Sequence, residues 1–185
     1  MARHCNGVVL SIGLAISLLQ GAVLTAQQSK QVPPAPVPQQ IVMAKKVFVA
    51  NAGSEDRSSD EPEFSGSAER AYNQFYAAMK TWGKYELTSV PADADLAFEI
   101  QFTMPPISRA VFHGDSTGAA SYDPQFRVVI RDPKTNSLLW GFTEHVQWAL
   151  FKGNRDKNFD LAMAKIVADV QSVSGSAVAA LKGKP

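Results

Sequence analysis

Hydrophobic and polar positions alternate most strictly at residues 95–102. Leu96, Phe98, Ile100 and Phe102 take one parity; Asp95, Ala97, Glu99 and Gln101 take the other. A period of two puts every second side chain on the same face of a strand, so this stretch predicts a half-buried strand, one face on a core and one toward water. A different period governs residues 67–83. Ala68, Ala71, Tyr72, Phe75, Met79 and Trp82 recur at three- and four-residue steps, the stripe of an amphipathic helix. Ser67 stands where it can cap the first turn, and Gly83 where a left-handed residue ends the last. The aromatic residues of this stripe read as core packing against a sheet. A second helix is predicted from Phe159, Ala162, Met163, Ile166, Val170 and Val173, with Asp156 or Asn158 as its cap and Gly175 weakening or ending it.

Shorter patterns fill the rest. Residues 45–50 (KKVFVA) form a β-branched and aromatic run closed by the turn signal Asn51-Ala52-Gly53. The acidic loop that follows, to residue 67, lacks the alternating ligands and closing glutamate of a calcium loop. Residues 85–90 read as a strand, and Pro91-Ala92-Asp93-Ala94 turns the chain. Residues 126–131 and 138–149 bracket Asp132-Pro133-Lys134-Thr135-Asn136-Ser137 as a hairpin. In its second strand Leu138, Trp140, Phe142, Val146 and Trp148 share the core parity, interrupted by Glu144. Residues 103–124 have no clear period; 107–113 would extend the sheet as a short edge strand, and the remainder is a long loop.

The order of elements predicts an α+β two-layer sandwich: a mixed, mainly antiparallel sheet packed by two amphipathic helices. Phe98, Ile100, Phe102, Val128, Ile130, Trp140 and Phe142 would meet Phe75, Met79, Ile166 and Val170. This single domain is expected over residues 41–175, followed by a frayed tail at 176–185.

The N-terminal pattern carries an address. Arg3 and His4 precede an apolar run, residues 8–26, that ends in Leu24-Thr25-Ala26. A positive flank, an apolar core and a small closing residue make a secretory signal cleaved near Ala26. Ser11, Gly13, Ser17, Gln20 and Gly21 dilute the run, and no basic cluster follows it directly, which favours cleavage over anchoring. Residues 27–40 hold four prolines between positions 33 and 38 and read as an extended linker. The formal charge is +1, and loss of Arg3 brings it to zero, so no global field recruits nucleic acid. The only cysteine, Cys5, leaves with the signal. Disulfides and thiolate chemistry are thereby excluded from the mature chain, as is lipid attachment through cysteine. A periplasmic or secreted protein is expected, with no stable membrane insertion after cleavage.

Candidate chemistry is sparse. After signal removal the histidines are His113 and His145. His113 lies near Asp115 but without a nucleophile motif. Glu144 and His145 are adjacent on a predicted strand and point to opposite faces. Two isolated histidines do not supply the three or four ligands of a metal site. Neither the glycine-rich lysine loop nor the dinucleotide fingerprint is present, and the aromatic residues do not interleave with a basic patch. No catalytic residue, metal site or cofactor is assigned, and a nucleic-acid partner is not expected.

The motif Asp132-x-Lys134-Thr135-x-x-Leu138-Leu139-Trp140-x-Phe142, followed by a helix, resembles the closing hairpin and helix of small bacterial envelope proteins of unknown function. With Ala92-Asp93-Ala94-Asp95-Leu96 leading into a strand, residues 45–173 are similar to the periplasmic domain shared by the curli secretion protein CsgG and the lipoprotein activators of penicillin-binding proteins. That resemblance implies a largely non-enzymatic domain.

The resulting expectation is a non-catalytic, exported envelope binding or assembly module with a protein partner. The alternative is a periplasmic carrier of a small ligand or lipid. Arg109, Phe112, His113 and Tyr122, in or beside the 104–124 loop, are the expected partner contacts, because arginine and aromatic side chains dominate interface energetics. Phe112 and Tyr122 also have a structural reading, as pins that hold the loop to the domain.

Overall fold

A computed structural model describes residues 35–55, 63–109 and 120–182. In chain order these form α1 (Gln39–Met43), β1 (Lys46–Ser54), α2 (Arg70–Trp82), β2 (Glu86–Thr88), β3 (Leu96–Thr103), β4 (Pro106–Arg109), β5 (Ala120–Tyr122), β6 (Gln125–Arg131), β7 (Leu138–His145) and α3 (Lys152–Lys182). The class is α+β, with a five-stranded mixed sheet in the order β2-β1-β3-β6-β7. β1 runs parallel to both β2 and β3, whereas β3–β6 and β6–β7 are antiparallel.

The strict alternation of β3 sets the layers. Leu96, Phe98, Ile100 and Phe102 are all buried, and the residues between them are half-exposed. Phe75 and Met79 of α2, with Ile166 and Val170 of α3, are buried in the same core as Val128 and Ile130. Trp140 and Phe142 pack against that core while half-buried. At one end Phe159 joins Phe64, Phe102 and Phe126, its ring centroids 5.5, 5.3 and 4.7 Å from theirs. α1 also belongs to the fold: Ile41 is fully buried, and its carbonyl accepts the Tyr85 hydroxyl at 3.1 Å.

Two aspartates secure the connections. Both Lys45 and Lys46 donate their backbone N–H to Asp95 Oδ2, at 2.8 and 2.9 Å, which ties the start of β1 to the start of β3. These bonds hold the Asp95 carboxyl below its usual range. Asp132 organises the hairpin: Oδ1 accepts the Lys134 N–H at 2.9 Å, Oδ2 accepts the Thr135 hydroxyl at 3.0 Å, and Asn136 takes the left-handed conformation.

Several local expectations are corrected. Ser67 does not cap α2; the helix begins at Arg70, whose N–H reaches the Ser67 carbonyl, and the N-cap position falls on Glu69. Gly83 does end it, at φ +68°. α3 starts at Lys152, so Asp156 and Asn158 lie within it, and Gly175 does not stop it. One glycine costs a helix interior only about 1 kcal/mol; beside it Ser174 is buried, and its carbonyl accepts the Lys84 ammonium. Residues 106–109 do not extend the main sheet. They pair with β5 as a separate two-stranded ribbon.

The second hairpin strand is also shorter than its pattern. β7 ends at His145: the Val146 N–H still reaches the Pro124 carbonyl at 2.7 Å in the same register, but proline has no N–H to return the bond. Val146 is buried, but Trp148 and Leu138, assigned to the core parity, are each 61% exposed.

Candidate functional site

β7 closes one side of the sheet, and among the described strands none pairs with its outer edge. An eight-residue edge offers a row of backbone donors and acceptors to an incoming strand. The opposite edge, β2, spans three residues only. Alongside β7 runs a groove of about 560 Å³ lined by Glu144, His145, Gln147, Asn158, Leu161, Ala162 and Lys165. Its far wall is the first half of α3.

One ion pair and one histidine–carboxylate contact border the groove. Glu144, on the core parity of β7, meets Lys165 at 2.7 Å, and that bond raises the Lys165 ammonium above its usual range. His145, on the other parity, presents Nδ1 to Asp123 at 2.8 Å. The two neighbours thus point to opposite faces, as strand geometry requires. A carboxylate at Nδ1 orients the imidazole and directs Nε2 outward, which is half of a general-base arrangement. The residues lining the groove include no hydroxyl or thiol for such a base to activate. Among the described residues no group of three or more His, Cys, Asp or Glu is placed to hold a metal ion.

The sheet face away from the helices forms a second surface. β1–β3 and β3–β6 register aligns Ala50, Glu99 and Val129, with Gly141 beside them on β7. Glu99 reaches diagonally to Arg131 Nε at 3.1 Å. Arg127 is exposed two residues before Val129.

Of the expected partner contacts, Arg109 ends β4, where its backbone pairs with Ala120. Tyr122 lies in β5, half-buried against the core. Phe112 and His113 fall outside the described residues. The pattern reading passed over a different set: Trp148, Leu150 and Phe151 are 61%, 70% and 69% exposed in the connection from β7 to α3. The signal was available in the consecutive apolar run Trp148-Ala149-Leu150-Phe151, which breaks the two-residue period before Lys152-Gly153-Asn154.

No family model and no curated protein matches this chain. Solved structures do show likeness. A PelC dodecamer from Paraburkholderia phytofirmans matches at 12% identity over 77% of this chain and 95% of that one, with a TM-score of 0.43. A DUF330 protein from Xanthomonas campestris matches at 11% identity over 80% and 95%, TM-score 0.41. An uncharacterized lipoprotein B from Nitrosomonas europaea matches at 11% identity over 81% and 96%, TM-score 0.40. None of the three is described as a CsgG-like protein or a penicillin-binding-protein activator, and likeness at this level transfers no property to this chain. No described helix is long and apolar enough to cross a membrane.

Proposed function

We propose that this chain is a non-catalytic, exported module of the bacterial cell envelope that binds a protein partner by accepting its strand on the β7 edge. The observation that carries the proposal is the eight-residue outer edge of β7, unpaired among the described strands and bordered by a groove with Leu161 at 54% exposure. Main-chain hydrogen bonds supply affinity in this mode, and the groove reads every second side chain of the guest. The apolar run at residues 8–26 supports export, and the closing hairpin 132–142 supports the finer placement in the CsgG-like class. Arg109, Phe112, His113 and Tyr122 are proposed as additional contacts.

The carrier alternative fits the groove less well. The groove lies open to solvent between β7 and α3, whereas ligand pockets are largely enclosed and cover most of a ligand's surface.

A photo-crosslinking side chain at Thr143, compared with one at Leu87 on the opposite edge, tests the proposal in envelope extract. Adducts to a discrete protein from Thr143 alone are expected. Equal labelling from both positions, or none from Thr143, overturns strand addition. Stabilisation by lipids or small metabolites without any adduct would favour the carrier.

A further inference from the structure

We infer that the loop joining β7 to α3 seats the domain on an anionic lipid surface, through Trp148, Leu150 and Phe151, with Lys152 and Lys157 following in the first turns of α3. This goes beyond protein binding at the β7 edge and does not depend on it. Single exposed apolar residues are ordinary, but here three large ones fall within four positions, each more than 60% exposed.

Their exposure is built in. Arg155 donates Nη1 to the carbonyls of Ala149 and Leu150 at 3.1 and 2.9 Å, and Nε to the carbonyl of Glu63 at 2.9 Å. Asn158 Nδ2 reaches the Gln147 carbonyl at 2.8 Å, and the Phe151 carbonyl accepts the N–H of both Asn154 and Arg155. The backbone from Gln147 to Phe151 is therefore held by its carbonyls, and the side chains between cannot fold down onto the core. Such a loop is ordered before it meets anything, so little entropy is lost on contact.

Charge selects the occupant. No carboxylate occurs between Val146 and Arg155. Lys152 and Lys157 are exposed and form no ion pair among the described residues. Asp156, next to Lys157 in the chain, is bound to Arg70 and Ser65. Tryptophan, leucine and phenylalanine flanked by lysines have the chemistry of a shallow interfacial anchor: apolar groups at the acyl boundary, ammonium groups among phosphates. The contact is peripheral and reversible, since three side chains bury far less than a span.

Trp148 supplies the readout in the full chain, where residues 8–26 could themselves bind bilayers. The chain has three tryptophans, and the other two, Trp82 and Trp140, are half-buried against the core. The difference in emission between the parent and W148F therefore isolates the loop. Vesicles of phosphatidylethanolamine and phosphatidylglycerol should shift Trp148 emission to shorter wavelength, and bromine-labelled acyl chains should quench it. Replacing both apolar neighbours (L150S/F151S) should weaken loop partitioning by on the order of a hundredfold, with an unchanged melting curve. K152E/K157E should abolish the preference over phosphatidylcholine vesicles. Trp148 emission unmoved by vesicles overturns the proposal, as does equal partitioning of L150S/F151S. Loss of protein capture by L150S/F151S without any Trp148 response to lipid would assign the loop to a protein partner and equally overturn it.

Discussion

Arg70 and Asp156 join the start of α2 to the second turn of α3 across 86 residues of chain, with guanidinium Nη1 and carboxylate Oδ1 2.7 Å apart. Arg70 also reaches Asp160 at 2.7 Å and lies 4.2 Å over the ring of Phe159. Asp156 in turn accepts both the N–H and the hydroxyl of Ser65 at 2.7 Å. One carboxylate thereby holds together the two helices and the segment before α2.

That arrangement predicts an acid limit. Burial opposes the charge of Asp156, but the Ser65 hydroxyl and N–H and the Arg70 guanidinium outweigh it and lower the carboxyl from 3.8 to about 2. A carboxyl with a depressed folded-state pKa stabilises fully above its unfolded value, and that contribution is lost as pH falls through the folded one. Stability should therefore drop between about pH 4 and pH 2 by on the order of 1–2 kcal/mol from this group, allowing for solvent screening at a partly exposed position. Urea melts of the parent and Asp156→Asn across that range check it: the variant should be less stable at neutral pH and the gap should narrow in acid.

Gly83 ends α2 at φ +68°, and a Cβ there would meet nothing closer than the Thr81 carbonyl at 3.9 Å. The cost of Gly83→Ala is thus backbone strain alone, about 1 kcal/mol. Asparagine should cost less than alanine. Thermal melts of the two variants give the order directly.

Phe98 lies at the centre of the core, fully buried, with its ring 5.8 Å from Tyr85 in an edge-on arrangement. Phe98→Ala should destabilise by about 3–5 kcal/mol through lost burial and the cavity left behind. Glu99→Ala, one residue along on the opposite face, should change stability by about 1 kcal/mol or less. Comparable losses at both positions in urea titrations would contradict the one-sided packing of β3.

The exported protein should begin at Gln27. N-terminal sequencing or intact mass of the envelope-fraction protein checks this, and recovery of Met1 in the membrane fraction would count against a cleaved signal.

Much of the architecture was legible because burial leaves a local trace. The alternation at residues 96–102 required one buried face in any context, and β3 has it. The stripe from Ala71 to Met79 specified a helix against a sheet, and Gly83 marked its end, because few other residues adopt φ +68° without strain. Asp132 through Ser137 announced a tight connection, since aspartate can bond its own turn. The partner residues chosen from the 104–124 loop were less legible. Their choice rested on residue type and loop length, neither of which says where a side chain goes.

Periodicity by itself determined which residues of this chain need a core and which elements they form. It says nothing about which strands become neighbours, because pairing joins residues far apart in sequence. Only the folded chain set β1 between β2 and β3 in parallel and left the outer edge of β7 unpaired among the described strands. Lys84 likewise reaches the Ser174 carbonyl of α3 from 90 residues away, a contact no local pattern announces. Trp148 shows the limit most clearly. Its parity assigned it to the core, but the ladder ends at His145 and Arg155 holds the following carbonyls, so the indole faces outward. Apolar character is a property of a residue, whereas exposure belongs to the backbone path that tertiary hydrogen bonds impose.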